Sequence, residues 1–250
     1  MDDEQRFQPP AGESATDIGA TPFVAAADIV LATGVGPGVA SDLGVAVART
    51  PAPDAPDAPD AGPGLGPART VVLVEGTSDQ VALQSLADRL GRDLDAEGVS
   101  VVPMNGATNV RRFLELFGPH GLAVRLAGLC DSGEEGLFRR GLARAGMGAN
   151  LTRADMESLG FYMCQADLED ELIRSLGAAS VLEVIDAQGE LGSFRTLQKQ
   201  PAQQGRTIEE QLRRFMGTRG GRKIRYGRLL VDALDLKRVP RPLDRLLAHV

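Results

Sequence analysis

Val71-Val72-Leu73-Val74-Glu75-Gly76-Thr77-Ser78-Asp79 is the stretch that decides how this chain is read. Four apolar residues run without a break, and Val dominates. Such a run predicts a short strand buried on both faces, as in a parallel sheet. Glu75 follows where the strand should end. Gly76 is expected to allow a tight turn, and Thr77 or Ser78 to cap the helix that follows. Asp79 falls in the first helical turn. Open α/β sheets bind ligands at the carboxyl ends of their strands, so Glu75 stands where chemistry is usually done. A strand-end carboxylate buried without a partner is costly, and a bound metal ion is one natural partner.

Outward from this stretch the pattern repeats. A helix is expected from about Ser78 to Leu90, with Val81, Leu83, Leu86, Ala87 and Leu90 as its apolar stripe. Val99–Pro103 reads as a second strand. The polar turn Met104–Asn109 leads to a helix that buries Phe113, Leu114, Leu116 and Phe117, stopped by Gly118-Pro119. Leu122–Leu129 reads as a third strand, ending in Cys130-Asp131-Ser132-Gly133-Glu134-Glu135. A helix with Phe138 and Leu142 follows, and Phe161–Cys164 is a fourth strand, followed by Asp167-Leu168-Glu169. This alternation predicts an α/β fold with a parallel sheet of about four strands flanked by helices. Beyond Leu172 helices are expected over Ala178–Gln188, Thr207–Met216, Arg222–Leu234 and Pro242–His249, with Leu191–Pro201 as a connection.

The chain divides into three parts. Residues 1–68 contain the run Pro51-Ala-Pro-Asp-Ala-Pro-Asp-Ala-Pro-Asp60 and are expected to form a disordered acidic tail and linker. Residues 69–175 hold the α/β unit, and 176–250 a basic, helical C-terminal extension. With 250 residues, 43% of them hydrophobic, the chain suffices for one sizeable domain. No apolar run approaches the ~18 residues of a membrane span. Met1–Pro10 is too acidic and polar for a signal peptide, so the protein reads as cytoplasmic. Cys130 and Cys164 sit in apolar runs and read as buried free thiols. The net charge of −7 hides an asymmetry. Residues 1–68 carry 2 basic and 10 acidic residues, whereas residues 195–250 carry 14 basic and 5 acidic. A basic C-terminal end suits a polyanion partner.

Three strand ends carry acids: Glu75 with Asp79, Asp131 with Glu134 and Glu135, and Asp167 with Glu169. In a parallel sheet these ends share one edge. Carboxylates gathered there repel unless a hard divalent cation neutralises them. Oxygen ligands suit Mg²⁺ or Mn²⁺, and such ions serve phosphoryl transfer. The plainer alternatives are an exposed turn acid at Glu75, a helix N-cap at Asp131, and acids favoured by a helix dipole at Asp79, Glu169, Glu134 and Glu135. Arg219-Gly-Gly-Arg222-Lys223-Ile-Arg225 combines two glycines with a cluster of cations and suits a phosphate-binding loop. Arg111 and Arg112 open a helix at the same edge. Together, Arg111, Arg112, Arg222 and Arg225 are the candidate nucleic-acid contacts.

Val-Glu75-Gly-Thr-Ser-Asp79 and the later Leu-Cys-Asp131-Ser-Gly resemble the two signature motifs of the TOPRIM domain. The form Glu-Gly-x-Ser-Asp, the segment Asp167-Leu-Glu169-Asp-Glu-Leu and a later lysine resemble most its OLD-type (overcoming lysogenization defect) branch. The resemblance covers residues 69–175 and, more loosely, the helical remainder. It implies a Rossmann-like TOPRIM fold and a metal-dependent nuclease acting on DNA or another nucleic acid. By the same resemblance Glu75 is a metal ligand or general acid/base, while Asp79, Asp131 and Glu169 are metal ligands. Lys223 is the lysine that stabilises charge developing on the phosphate.

The sequence departs from that pattern twice. Position 133 is Gly where the family has a second aspartate. Either Glu134 or Glu135 takes its place, or a metal site is lost and the domain is a non-catalytic nucleic-acid-binding or assembly module. Further, no Gly-x-x-x-x-Gly-Lys-Ser/Thr loop occurs. OLD proteins carry an ATPase domain before this unit; any ATPase acting with this chain would have to be a separate chain, and ATP dependence is not implied. A homo-oligomer is compatible with these residues, and nucleotidyl transfer is a third, less favoured chemistry.

Overall fold

The computed structural model describes residues 70–219 and 221–250; the tail and linker expected over 1–68 lie outside the described residues. Four strands, β1 (Thr70–Val74), β2 (Val99–Pro103), β3 (Arg125–Asp131) and β4 (Phe161–Cys164), form one sheet in the order β2-β1-β3-β4. Every pairing is parallel. β1, formed by the apolar run before Glu75, is central and wholly buried, with Val71, Val72, Leu73 and Val74 at 0% exposure. Each such burial contributes about 1.5–3 kcal/mol relative to leaving the side chain in water.

Alternation along β1 separates two cores. Val71 and Leu73 face one core with α2 (Val110–Phe117) and α3 (Glu135–Arg144). Val72 and Val74 face the other core, which holds α1 (Thr77–Arg89). The same second core takes in side chains from α5 (Leu168–Leu176), α6 (Ala178–Ala187), α7 (Leu191–Gln198), α8 (Ile208–Met216), α9 (Arg222–Ala233) and α10 (Arg241–His249). The sheet is thus the middle of three layers, and the C-terminal helices pack onto it rather than trailing from it. Cys130 and Cys164 are buried and free, as expected. Among the described residues no helix is long and apolar enough to cross a membrane.

Local chemistry explains where the structure departs from the sequence reading. The third strand begins at Arg125, not Leu122. Gly121, Leu122, Ala123 and Val124 instead donate their N–H groups to carbonyls of Leu116, Phe117 and Gly118 at the end of α2, with Ala123 at φ 51. Leu191–Gln198 is a helix because Phe194 and Leu197, three apart, both reach the core. A short helix, α4 (Arg153–Ser158), carries no apolar stripe to announce it; Thr152 and Asp155 cap it reciprocally. At α1 the N-cap is Gly76, neither Thr77 nor Ser78. Its φ of −146° is extended backbone that any residue adopts, so a tight turn does not require glycine here.

Helix α9 lies along α1, and Gly227 permits that approach. A Cβ there would meet the Ser78 carbonyl oxygen at 3.2 Å and the Ala82 Cβ at 3.8 Å. Gly227→Val is therefore expected to overpack the α1–α9 contact and destabilise the fold by about 1–3 kcal/mol. A urea unfolding midpoint measures it, and an unchanged midpoint would show the two helices to be loosely seated.

Candidate metal centre

The parallel topology carries the acids of β1, β3 and β4 to one edge. Glu75 ends β1, and its carbonyl accepts a hydrogen bond from Gly106 N at 3.0 Å, which ties the turn after β2 to the same edge. Asp79 is buried in the first turn of α1. Its Oδ2 accepts from Gly76 N at 2.8 Å, so the side chain is fixed in place. Asp131 ends β3. It makes no capping hydrogen bond to the 3₁₀ turn that follows it, so the N-cap alternative leaves its carboxyl unused. Ser132 Oγ donates to the Gln165 carbonyl at 2.6 Å and locks the end of β3 to that of β4.

Past β4, Asp167 caps α5 by accepting from Asp170 N at 2.9 Å, and its other oxygen pairs with Arg213 Nε at 2.5 Å. Glu169 stands one turn in. A plain first-turn acid would be exposed, yet this side chain is only 3% exposed. Lys223 Nζ lies 3.2 Å from Glu169 Oε2, but neither Glu169 oxygen has a well-directed hydrogen bond.

The electrostatics report the crowding. Burial pushes the Asp131 carboxyl up to about 8, with Glu75, Asp167 and Asp79 adding repulsion and Lys223 opposing it. Burial likewise raises Glu169 to about 7 against the charge of Lys223. Asp79 is raised by burial, with Lys223 and the Gly76 N–H acting against it. Burial works against the Lys223 charge, but Glu169, Asp79 and Asp167 outweigh it and hold the ammonium above its ordinary pKa. Glu75, Asp79, Asp131, Asp167, Glu169 and Lys223 therefore form one interacting set.

Among the described residues no three acids converge closely enough to make a ready-made cage. The donor set still fits a hard divalent cation. It offers carboxylate oxygens alone, two of them buried without hydrogen-bond partners on Glu169, and its raised carboxyls gain from any added positive charge.

Other candidates fall outside the set. Glu134 lies near Cys130 and does not join the charges that act most strongly on Asp131. Glu135 is taken up by Arg139 and, at 2.6 Å, by Arg153. A Cβ at Gly133 would meet nothing within 4 Å, so the missing aspartate has no steric cause. Arg111 pairs with Glu115 at 3.1 Å, and Arg112 is exposed on the same helix; neither is brought against the acids. Arg222 is a correction. It is buried, bonded to Thr218 Oγ1 at 2.6 Å and Glu190 Oε1 at 2.9 Å, with its guanidinium 4.1 Å over the Phe215 ring. It braces α9 internally and is not available to nucleic acid. Arg225 pairs with Glu190 at 2.7 Å. Sequence reasoning missed Arg206, Arg213 and Arg214, which line a cleft of about 370 Å³ beside Asp167, Glu169 and Lys223. The only signal is the basic excess of the C-terminal end, which does not say where α8 packs.

Asp131 and Glu169 give the apo protein a pH dependence of definite sign. Their folded pKa values lie above the ordinary ones, so their contribution to stability is full below about pH 4 and is lost as pH rises through about 7 to 8. Asp131→Asn is expected to raise the apo Tm at pH 8.5 and to change it little at pH 4. Equal shifts at the two pH values, by calorimetry in EDTA, would show that Asp131 is not crowded.

Residues 68–132 match the family described as overcoming lysogenization defect protein-like, TOPRIM domain. Among solved structures, the C-terminal region of the Xanthomonas campestris pv. campestris OLD protein, phased with mercury, is similar. It has 25% identity and a TM-score of 0.54, covering 73% of this chain and 94% of that one. The same region phased with iodine has 26% identity and a TM-score of 0.54, covering 73% and 93%. The C-terminal region of the Burkholderia pseudomallei OLD protein, at 22% identity and a TM-score of 0.56, covers 73% and 96% and shares the fold. No curated protein matches the chain.

Proposed function

From the OLD-like TOPRIM domain that this chain carries, we propose a metal-dependent nuclease that hydrolyses nucleic-acid phosphodiester bonds, with DNA as the substrate. The observation that carries the reading is the set of four candidate ligands, Glu75, Asp79, Asp131 and Glu169, gathered from three strand ends around one lysine. These four residues would hold Mg²⁺ or Mn²⁺. Bound there, such an ion supplies a nucleophilic water at neutral pH and neutralises charge on the phosphate.

The chain's own residues have separate tasks. Glu75, at the end of the buried central strand, would serve beside its ligand role to orient the attacking water and accept its proton. Lys223 remains charged despite partial burial because Glu169 and Asp79 face it. Its ammonium stabilises the charge that develops on the phosphate oxygens. The rigid supports are β1, locked between β2 and β3, and α9, packed on α1.

The reading is tested with supercoiled plasmid DNA in EDTA, Mg²⁺ or Mn²⁺. Cleavage is expected only with metal, and Glu75→Gln is expected to reduce it on the order of 10²–10³-fold. Cleavage unaffected by Glu75→Gln would remove Glu75 from the chemistry. Salt-sensitive DNA binding without cleavage in any metal would replace the nuclease by a non-catalytic binding module, the alternative that Gly133 favours.

A further inference from the structure

We infer that Arg213 seats a backbone phosphate beside the acids, and that its ion pair with Asp167 holds it in reserve until a cation takes up that carboxylate. The inference rests on reading the site as one that acts on nucleic acid, and it adds a phosphate-binding residue that the sequence motifs do not mark.

The cleft has two walls of opposite sign. Asp167 and Glu169 form one; Arg206, Arg213, Arg214 and Lys223 stand on the other, together with Glu210, whose carboxylate accepts from Thr207 N at 2.9 Å. A phosphodiester accompanied by a divalent cation matches both walls at once, whereas a simple anion or a simple cation matches only one. Glu169 points to a ligand independently, because its carboxylate is buried and, apart from Lys223 Nζ at 3.2 Å from Oε2, its oxygens have no partner. Arg206 and Arg214 are exposed and form no ion pair among the described residues. Neither is consumed by the fold.

Arg213 differs from those two. It sits at the junction of the walls, with Nε on Asp167 Oδ2 at 2.5 Å. Its side chain is 46% exposed against 14% for Asp167. A guanidinium presents five N–H donors in a planar fork. Nε alone is engaged among the described residues, so both terminal nitrogens stay open to the cleft and fit two phosphate oxygens. Asp167 uses its other oxygen to cap α5, and that bond persists whichever cation holds Oδ2. The pair can therefore exchange partners without moving a helix: the carboxylate passes to an incoming cation, and the guanidinium to the phosphate that accompanies it. Lys223 keeps its own partner, Glu169, through this exchange.

The test uses the full chain and a fluorescein-labelled DNA oligonucleotide, single- or double-stranded, with anisotropy read in EDTA and with Ca²⁺, a hard cation that takes oxygen ligands, across a salt series. Arg213→Ala is expected to change binding little in EDTA, where Asp167 holds the guanidinium, and with Ca²⁺ to weaken it about tenfold and to lower the slope of log affinity against log salt by about one. Asp167→Asn keeps an N-capping oxygen and frees the guanidinium, so it is expected to tighten binding roughly three- to tenfold. Arg213→Lys, which keeps the charge but not the fork, should fall between wild type and Arg213→Ala. Mn²⁺ affinity, read from the EPR signal of free Mn²⁺, is expected to rise in Arg213→Ala. Weakening of Arg213→Ala with Ca²⁺ but not in EDTA, together with tightening of Asp167→Asn in EDTA, supports the exchange. Wild-type binding by both, or weakening in both, overturns it and makes the pair a structural tie, leaving the nuclease reading standing. A wild-type protein that does not bind DNA at all removes the nuclease reading and this inference with it.

Discussion

Like charges forced onto one edge of a parallel sheet are the constraint on which the rest of this molecule depends. Glu75, Asp79, Asp131, Asp167 and Glu169 raise one another's free energy, and burial removes the water that would screen them. Such a set persists only if the backbone beneath it cannot relax. β1 supplies that rigidity: it is buried along its whole length and hydrogen-bonded on both sides. The register places Val74 opposite Pro103 and Leu73 opposite Gly128, so β1 and β2 end level while β3 runs on to carry Asp131 past the end of β1. A stagger of one residue would turn each strand-end side chain to the other face.

The cationic counterpart is held as firmly, by a different part of the chain. Lys223 is useful only if the first turn of α9 stays against the acids. Gly227 lets that helix close on α1. From α1, Arg89 donates to the carbonyls of Val231 and Leu234, which fastens the far end of α9. Near the site, Glu190 binds Arg222, Arg225 and Tyr226 together. The residue beside Lys223 is thus spent on anchoring so that Lys223 can be spent on charge. Helical geometry makes the division, since adjacent residues point about 100° apart.

Much of this is legible in the amino-acid sequence. Strands β2 and β4, the helices beyond Leu172 other than Leu191–Gln198, and the acids at the strand ends follow from apolar runs and their punctuation. Signals that cancel locally are not legible. Leu122 and Val124 look like strand residues, but their N–H groups find carbonyls at the end of α2 before any neighbouring strand is reached. Gly76 looks obligatory in the turn, yet the backbone there is extended. Glu169 can be placed at a helix start, but its burial depends on α9, more than 50 residues later in the chain. Tertiary packing decides such cases, and single-residue preferences do not encode it.

Charge counting shows the same limit in a sharper form. The 14 basic residues in 195–250 suggest a broad cationic surface, but their placement divides them by task. Arg222 is interior, Arg225 turns to Glu190, and Arg228 and Arg241 pair with Asp232 and Glu157. Those charges are largely neutralised within the protein and exert little field on a partner beyond a Debye length. Arg206, Arg213, Arg214 and Lys223 instead line one cleft against acids that exceed what a single lysine neutralises. Their value lies in position: they share one cleft with Asp167, Glu169 and Glu210, and of these cations Arg213 and Lys223 are the two paired with its acids. A charge excess read from sequence is therefore an upper bound on what a polyanion feels, and in this fold the effective part comes from one helix, the turn before it and a single lysine.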